Sequence, residues 1–346
     1  MQTLIVPEHL KAGDKVATVS LSWGGAGDET LRWRYEVGKK RLQEEFGLEV
    51  VEMTTTLAGS EYVYRHPEER AKDFMRAFED PTIRAIFSCI GGDDSIRMLP
   101  YIDFNVIRKN PKIFLGYSDS TVAHFICRKA GIRSYYGPSI LAEFAENIEI
   151  FPYTKRSVVE TLFDPKVLGI VDACTEWTGE IIPWEESRKG QRKQMQSNLG
   201  YELLQGEGIV SGPLIGGCMD VLEFMKGTCL WPEPTEFEGA ILFLETSEET
   251  PSPDYIRYWL RSYGTLGILH KVNGILWGKP YQETYYEEYK EVIHKVIHEE
   301  LGLTKLPILY NATFGHNEPM MVIPYGAMAR IDCGQKRFEL LEAGTR

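Results

Sequence analysis

KIFLGYSDSTVAHFICRKAG, residues 112–131, changes period halfway along. Ile113 to Leu115 read as the end of a buried strand, and Thr121 to Ile126 suit an amphipathic helix, with Gly116, Tyr117, Ser118, Asp119 and Ser120 between them. A strand that turns at once into a helix is the building unit of a parallel sheet. The preceding residues repeat that unit. KVATVSLS (15–22) reads as a strand, ETLRWRYEVGKKRLQEEFG (29–47) as a helix stopping at Gly47, and LEVVEM (48–53) as a strand. PEERAKDFMRAFEDP (67–81) has Pro near its start, an apolar stripe and a terminating Pro, the pattern of a helix. IRAIFSCI (83–90) is an unbroken apolar run ending at Gly91-Gly92, as expected of a strand covered on both faces. The alternation implies an α/β fold with a parallel sheet and helices on both sides. Binding groups are then expected at the carboxyl ends of its strands.

Residues 172–208 are polar, charged and Gly-rich without a clear period, although TEWTGEIIPW within them suits a short strand. A segment of that length and character reads as a linker or functional loop. Elements resume with strands at GAILFLET (239–246) and VNGILWG (272–278), and helices at PDYIRYWLRSYG (253–264) and YYEEYKEVIHKVIHEELG (285–302). LPILYNATFG (306–315) is a further strand entering a loop. The division expected is an N-terminal lobe over 1–167, a linker and substrate loop over 168–207, and a C-terminal lobe over 208–346.

The bulk numbers narrow the function. A chain of 346 residues, 43% hydrophobic, has ample material for one large or two moderate cores. Its 38 basic and 50 acidic residues leave a net charge of −12, which argues against nucleic acid and anionic membranes as partners. The opening MQTLIVPEHLKAGDKVATVSLS lacks a signal-peptide pattern and no stretch reaches the length of a membrane span, so a cytoplasmic protein is expected. The six cysteines (Cys89, Cys127, Cys174, Cys218, Cys229, Cys333) lie far apart, as suits reduced thiols rather than a disulfide framework or zinc site.

Candidate chemistry gathers at strand ends. Ser118, on the tight strand-to-helix turn, has two readings: a helix cap, or a nucleophile lifted above the sheet with helix amides behind it. In the second, the backbone N–H of Asp119 is one oxyanion donor, and the Gly91-Gly92-Asp93 turn is placed to supply another. A serine nucleophile needs a base, and the base needs a carboxylate. Of seven histidines, His316 in NATFGHNEP stands in a loop just past a strand. His294 and His298, four apart, read either as a metal pair or more simply as one helix face; HKVIH lacks the Glu of the zinc-protease pattern. His124, inside the helix after Ser118, reads as a packed or surface imidazole, and His9, His66 and His270 have no suggestive neighbours. Glu245 ends the strand AILFLE and opens the loop TSEETPSPD; orienting acid and turn cap are both open to it, as the cap is to Asp93, Asp94, Glu248 and Glu249.

These segments together resemble the serine LD-carboxypeptidase family, and within it the microcin C self-immunity (MccF-like) branch. The likeness rests on six segments in the family's order, covering nearly the whole chain. They are the opening PEHLKAGDKVATVSLS, the SCIGGDDS turn, LGYSDST, SGPLIGGCMDVL, FLETSEE and NATFGHNEP. The resemblance implies a flavodoxin-like N-terminal lobe, a C-terminal α/β lobe and an active site between them. It implies a catalytic triad of Ser118, Glu245 and His316, oxyanion amides at Gly92 and Asp119, and capping of the helix left to Asp119 or Ser120. Gly91, Asp93, Trp184 and Gly217 are the expected substrate contacts, with no metal or cofactor. The expected substrate is a small peptide- or nucleotide-like amide, and the family's habit implies a homodimer. Trp184, in the long loop with Trp177, is expected to stack on a purine or else to anchor the loop. Arg188, Lys189, Arg192 and Lys193 read as a solvated basic loop, with a phosphate contact as the other reading. The family commonly has GGN where this chain has Gly216-Gly217-Cys218, so a contact from that Asn does not carry over. Three functions follow: a microcin C immunity-like serine peptidase, a murein tetrapeptide LD-carboxypeptidase, or a non-catalytic protein that binds the same ligands.

Overall fold

The structure, a computed structural model, describes residues 3–346. In chain order the first part runs β1 (Lys15–Val19), α1 (Arg32–Phe46), β2 (Glu49–Glu52), α2 (Ser60–Arg65), α3 (Pro67–Glu79), β3 (Ile83–Ser88), α4 (Phe104–Lys109), β4 (Ile113–Gly116), α5 (Thr121–Ala130), β5 (Tyr135–Tyr136) and α6 (Pro152–Leu162). The second part begins with β6 (Val167–Val171), β7 (Glu176–Trp177), β8 (Gln196–Ser197), β9 (Glu202–Gln205), β10 (Ile209–Cys218), α7 (Met219–Met225) and β11 (Ile241–Glu245). It continues with α8 (Pro253–Thr265), β12 (Gly274–Gly278), α9 (Tyr286–Ile293), β13 (Ile308–Ala312), β14 (Ile323–Pro324), β15 (Met328–Asp332) and β16 (Arg337–Ala343).

The first sheet has the order β14-β5-β4-β3-β1-β2, and its five N-terminal strands are parallel. Read from β2, the order 2-1-3-4-5 is the flavodoxin-type winding, whose ligand crevice lies above the carboxyl ends of β1 and β3. The buried runs explain it: β4 is buried at every position and β3 at every position except Arg84, so both faces must be covered by helices. The second sheet, β6-β16-β15-β10-β11-β12-β13-β9, is parallel through β10 to β13 and antiparallel outside them. β11, β12 and β13 are buried throughout, and one apolar core runs from Ala17 and Phe114 in the first sheet to Phe243 and Leu276 in the second.

The chain trades strands across the expected divisions. β6 straddles residue 167 and pairs with β16, while β9, inside the segment expected to be linker, forms an edge of the second sheet beside β13. β14, from the C-terminal half, closes the first sheet against β5. The helix expected over 285–302 divides into α9 and a wider π turn at His294–Glu300. There the His294 and His298 rings stack with centroids 4.5 Å apart, and among the described residues no cluster with metal-ligand composition occurs. No helix of the described residues is long and apolar enough to cross a membrane.

Candidate active site

Ser118 stands where β4 hands over to α5, and its φ of 58° lies in the left-handed region that non-glycine residues seldom occupy. Such strain persists only where surroundings over-determine it, and it is common at functional turns. Here the clamp is Tyr136 on β5. The Ser118 N–H donates to the Tyr136 hydroxyl at 3.1 Å, and that hydroxyl donates to Glu245 Oε1 at 2.5 Å. Neither expected cap of α5 acts as one. Ser120 makes no capping bond and donates instead to Ser88 Oγ at 3.1 Å. Asp119 turns its carboxylate to the Ser95 N–H at 2.8 Å and accepts the Ser95 hydroxyl on its carbonyl at 2.9 Å. Burial pushes the Asp119 carboxyl upward against these hydrogen bonds. The first turn is fastened by Thr121, whose hydroxyl donates to the Ser118 carbonyl at 2.7 Å.

Glu245 ends β11 fully buried, and His316 lies in the loop after β13 with its side chain 6% exposed. His316 Nδ1–H donates to Glu245 Oε2 at 2.7 Å, joining residues 71 apart in sequence. The other ring nitrogen, Nε2, is 2.8 Å from Glu248 Oε2 but out of hydrogen-bond alignment with it, and it has no hydrogen-bond partner. Burial lowers the His316 pKa, yet the two carboxylates together carry it well above the ordinary value and so favour the imidazolium. Reciprocally, burial raises Glu248, but the imidazolium outweighs it and holds the carboxyl down to about 2.

Ser118 and His316 line one cavity of about 310 Å³ with Trp23, Gly91, Gly92, Asp93, Trp184 and Glu248 among its walls. The Gly91–Asp94 turn closes β3 over Ser118. A Cβ at Gly91 would stand 3.1 Å from Ser118 Oγ, and Gly92 has a φ of 141° with a would-be Cβ 2.3 Å from Ser22 Oγ, so neither position admits a side chain without displacement. Asp93 is exposed on the rim. Arg70, fully buried, anchors the turn through Asp94 Oδ1 at 2.6 Å and the Leu21 carbonyl at 2.9 Å.

Several residues lie elsewhere than their expected roles require. Gly217 is absent from the cavity wall; its bare Cα lets β10 approach α5, where a Cβ would meet Thr121 Cγ2 at 2.7 Å. Trp177 is buried beneath Lys279 and anchors its loop, whereas Trp184 is half-buried on the cavity wall, stacked on Trp23 with centroids 6.5 Å apart and an interplanar angle of 17°. The basic loop is not free. Arg188, Lys189 and Arg192 each pair with a glutamate, and Lys193 is drawn inward to Glu318 and to Glu146 at 2.7 Å. His124 is a buried structural imidazole between Ser134 Oγ and the Gly116 carbonyl, and burial lowers its pKa to about 3. Tyr136, Arg70, Trp23 and Glu248 were not legible as site residues. The only cue was that TSEET follows a buried acid at a strand end.

A flavodoxin-type lobe thus carries a strained serine at a strand end on the same cavity as a histidine–glutamate pair from the second part of the chain. The chain belongs to the LD-carboxypeptidase family: residues 16–137 match its N-terminal domain and residues 211–331 its C-terminal domain. It is 30% identical over 338 residues to the microcin C7 self-immunity protein MccF of Escherichia coli, covering 96% of this chain and 94% of that protein. It is 26% identical over 304 residues to a probable murein peptide carboxypeptidase of Bacillus subtilis, covering 87% and 85% respectively. Among solved structures, an MccF-like protein from Streptococcus pneumoniae in complex with AMP superposes with a TM-score of 0.88 at 32% identity over 95% of this chain and 98% of that one. MccF in complex with glutamyl sulfamoyl guanosine superposes with a TM-score of 0.84 at 27% identity over 99% of both chains.

Proposed function

We propose that this protein is a serine hydrolase that cleaves the amide between an aminoacyl or peptidyl carboxyl and a nucleotide-like group, through an acyl-enzyme on Ser118. The observation that carries the reading is the Glu245–His316 hydrogen bond of 2.7 Å beside a serine held at a φ of 58° on the same cavity. Once Nε2 is free of Glu248 and neutral, it takes the Ser118 proton while Glu245 holds the ring by Nδ1–H. The hydroxyl oxygen adds to the scissile carbonyl, and the N–H groups of Asp119 and Gly92 receive the negative oxygen, each donor worth about 3–4 kcal/mol. The imidazolium then protonates the leaving nitrogen, the C–N bond breaks, and water repeats the cycle to release the acid and Ser118. The stacked Trp23 and Trp184, together with relatives whose structures hold AMP and glutamyl sulfamoyl guanosine, support a nucleotide-like leaving group.

Removal of a terminal D-amino acid from murein tetrapeptide is the second reading, favoured by the Bacillus subtilis relative. Incubation with an aminoacyl sulfamoyl adenosine and with murein tetrapeptide separates the two. Cleavage of the tetrapeptide alone would reject the first. Retention of ligand with no turnover of either would instead make the protein a binder. Action in the cytoplasm as a homodimer belongs to the same proposal, and light scattering at twice 39.5 kDa checks its second half.

A further inference from the structure

We infer that the acyl side of this cavity selects a cationic side chain, and that Glu248 is the residue that reads its charge. The inference deepens the hydrolase reading above by naming the acyl group. Beyond Trp184 the main cavity opens into a second hollow of about 240 Å³, and the two share Ile90, Tyr117, Trp184, Glu248 and His316. If the base lies against the tryptophans, the acyl residue extends past Ser118 into this second hollow. Its charged walls are Glu143, Glu180, Glu248 and Glu318 against Lys193 and His316, so carboxylates outnumber cationic groups four to two. That lysine is already shared between Glu146 and Glu318, with its side chain 12% exposed, and has little to offer an incoming anion.

Three of the four carboxylates differ in role. Burial pushes Glu318 up to about 8 and raises Glu143, in both cases against the pull of Lys193, and an ammonium entering beside them favours their ionised forms. Glu248 is different. Its carboxyl is held down to about 2, its side chain is 57% exposed, and its ion-pair partner among the described residues is His316. It can therefore turn to a ligand, and a cation gives it a reason to leave the imidazole. Departure would free Nε2, which is buried and has no hydrogen-bond partner among the described residues, on a histidine that lines both hollows. A cationic acyl group thus both fits the hollow and releases the base, whereas an acidic side chain of the kind held by the glutamyl-bound relative meets like charge.

The test uses the full chain carrying Ser118→Ala, so that ligands are bound but not consumed, with affinities measured by calorimetry. Lysyl-, norleucyl- and glutamyl-sulfamoyl adenosine differ in the charge of the side chain and share the α-ammonium. The expected order is lysyl at least tenfold tighter than norleucyl, and norleucyl tighter than glutamyl. Adding Glu248→Gln should shrink the lysyl-to-norleucyl ratio, and Glu248→Lys should bring glutamyl ahead of lysyl. Equal affinity for lysyl and norleucyl, a preference for glutamyl, or an order unmoved by either Glu248 variant would overturn the inference. Turnover by the unmutated protein is measured separately. Absence of hydrolysis despite an intact lysyl preference would count against the hydrolase reading and not against the charge selection.

Discussion

Tyr136→Phe removes one oxygen atom and tests the joint between nucleophile and acid. The tyrosine is 1% exposed, so no water replaces the hydroxyl without rearrangement. Two partners lose it at once: the Ser118 N–H at 3.1 Å and the Glu245 carboxylate at 2.5 Å. A neutral hydrogen bond contributes about 1 kcal/mol and one to a charged group about 1.5–3 kcal/mol, so the expected loss is about 3 kcal/mol. Unfolding entropy of about 2.1 cal/mol/K per residue over this chain is about 0.7 kcal/mol/K, which converts that loss to a Tm about 4 °C lower. Calorimetry measures it. A second readout separates positioning from mere stability. The hydroxyl shares the charge of Glu245; without it, the carboxylate pulls harder on the His316 imidazolium. The acid limb of the kcat/KM profile should then move to higher pH as kcat falls. A Tm within 1 °C of the parent, with an unmoved pH profile, would refute the idea that Tyr136 joins the two lobes of the site.

Glu248→Gln is expected to act on the same limb in the opposite sense: removing a carboxylate that favours the imidazolium lowers the His316 pKa, so the acid limb moves to lower pH, read from initial rates against pH. Trp184→Ala should weaken AMP binding, measured by calorimetry, by about 1–3 kcal/mol if the indole stacks on the base; an unchanged Kd would return Trp184 to the role of loop anchor. Arg70→Met removes the buried partner of Asp94, which keeps its ion pair to Arg97 at 2.7 Å, and should cost about 1–3 kcal/mol in denaturant unfolding, with a fall in kcat as the Gly91–Asp94 turn loosens.

The parallel strands were readable because they are buried on both faces and print as apolar runs, as IFLG and ILFLE do. Their carboxyl ends then directed attention to Ser118, Glu245 and His316 without any knowledge of distance. The edge strands were not readable. Glu202–Gln205 is half-buried at every position and lies in a polar segment, so neither alternation nor an apolar run announces it. Contacts made by partners far along the chain were equally hidden. Lys193 sits among basic loop residues and looks solvated, yet glutamates 47 and 125 positions away draw it inside. Tyr136 reads as one more aromatic on a short strand, and its bridging role depends on Glu245, 109 residues later. Glu248 reads as a surface acid of an acidic loop until the fold brings it against the imidazole.

The central claim is that Ser118 attacks an acyl carbon. Turnover of lysyl-sulfamoyl adenosine by the parent protein and by Ser118→Ala, followed as release of free lysine, addresses it directly. The account expects steady hydrolysis by the parent and a fall of roughly 10⁴-fold or more in kcat/KM on removing the hydroxyl. Hydrolysis by Ser118→Ala within tenfold of the parent would contradict it.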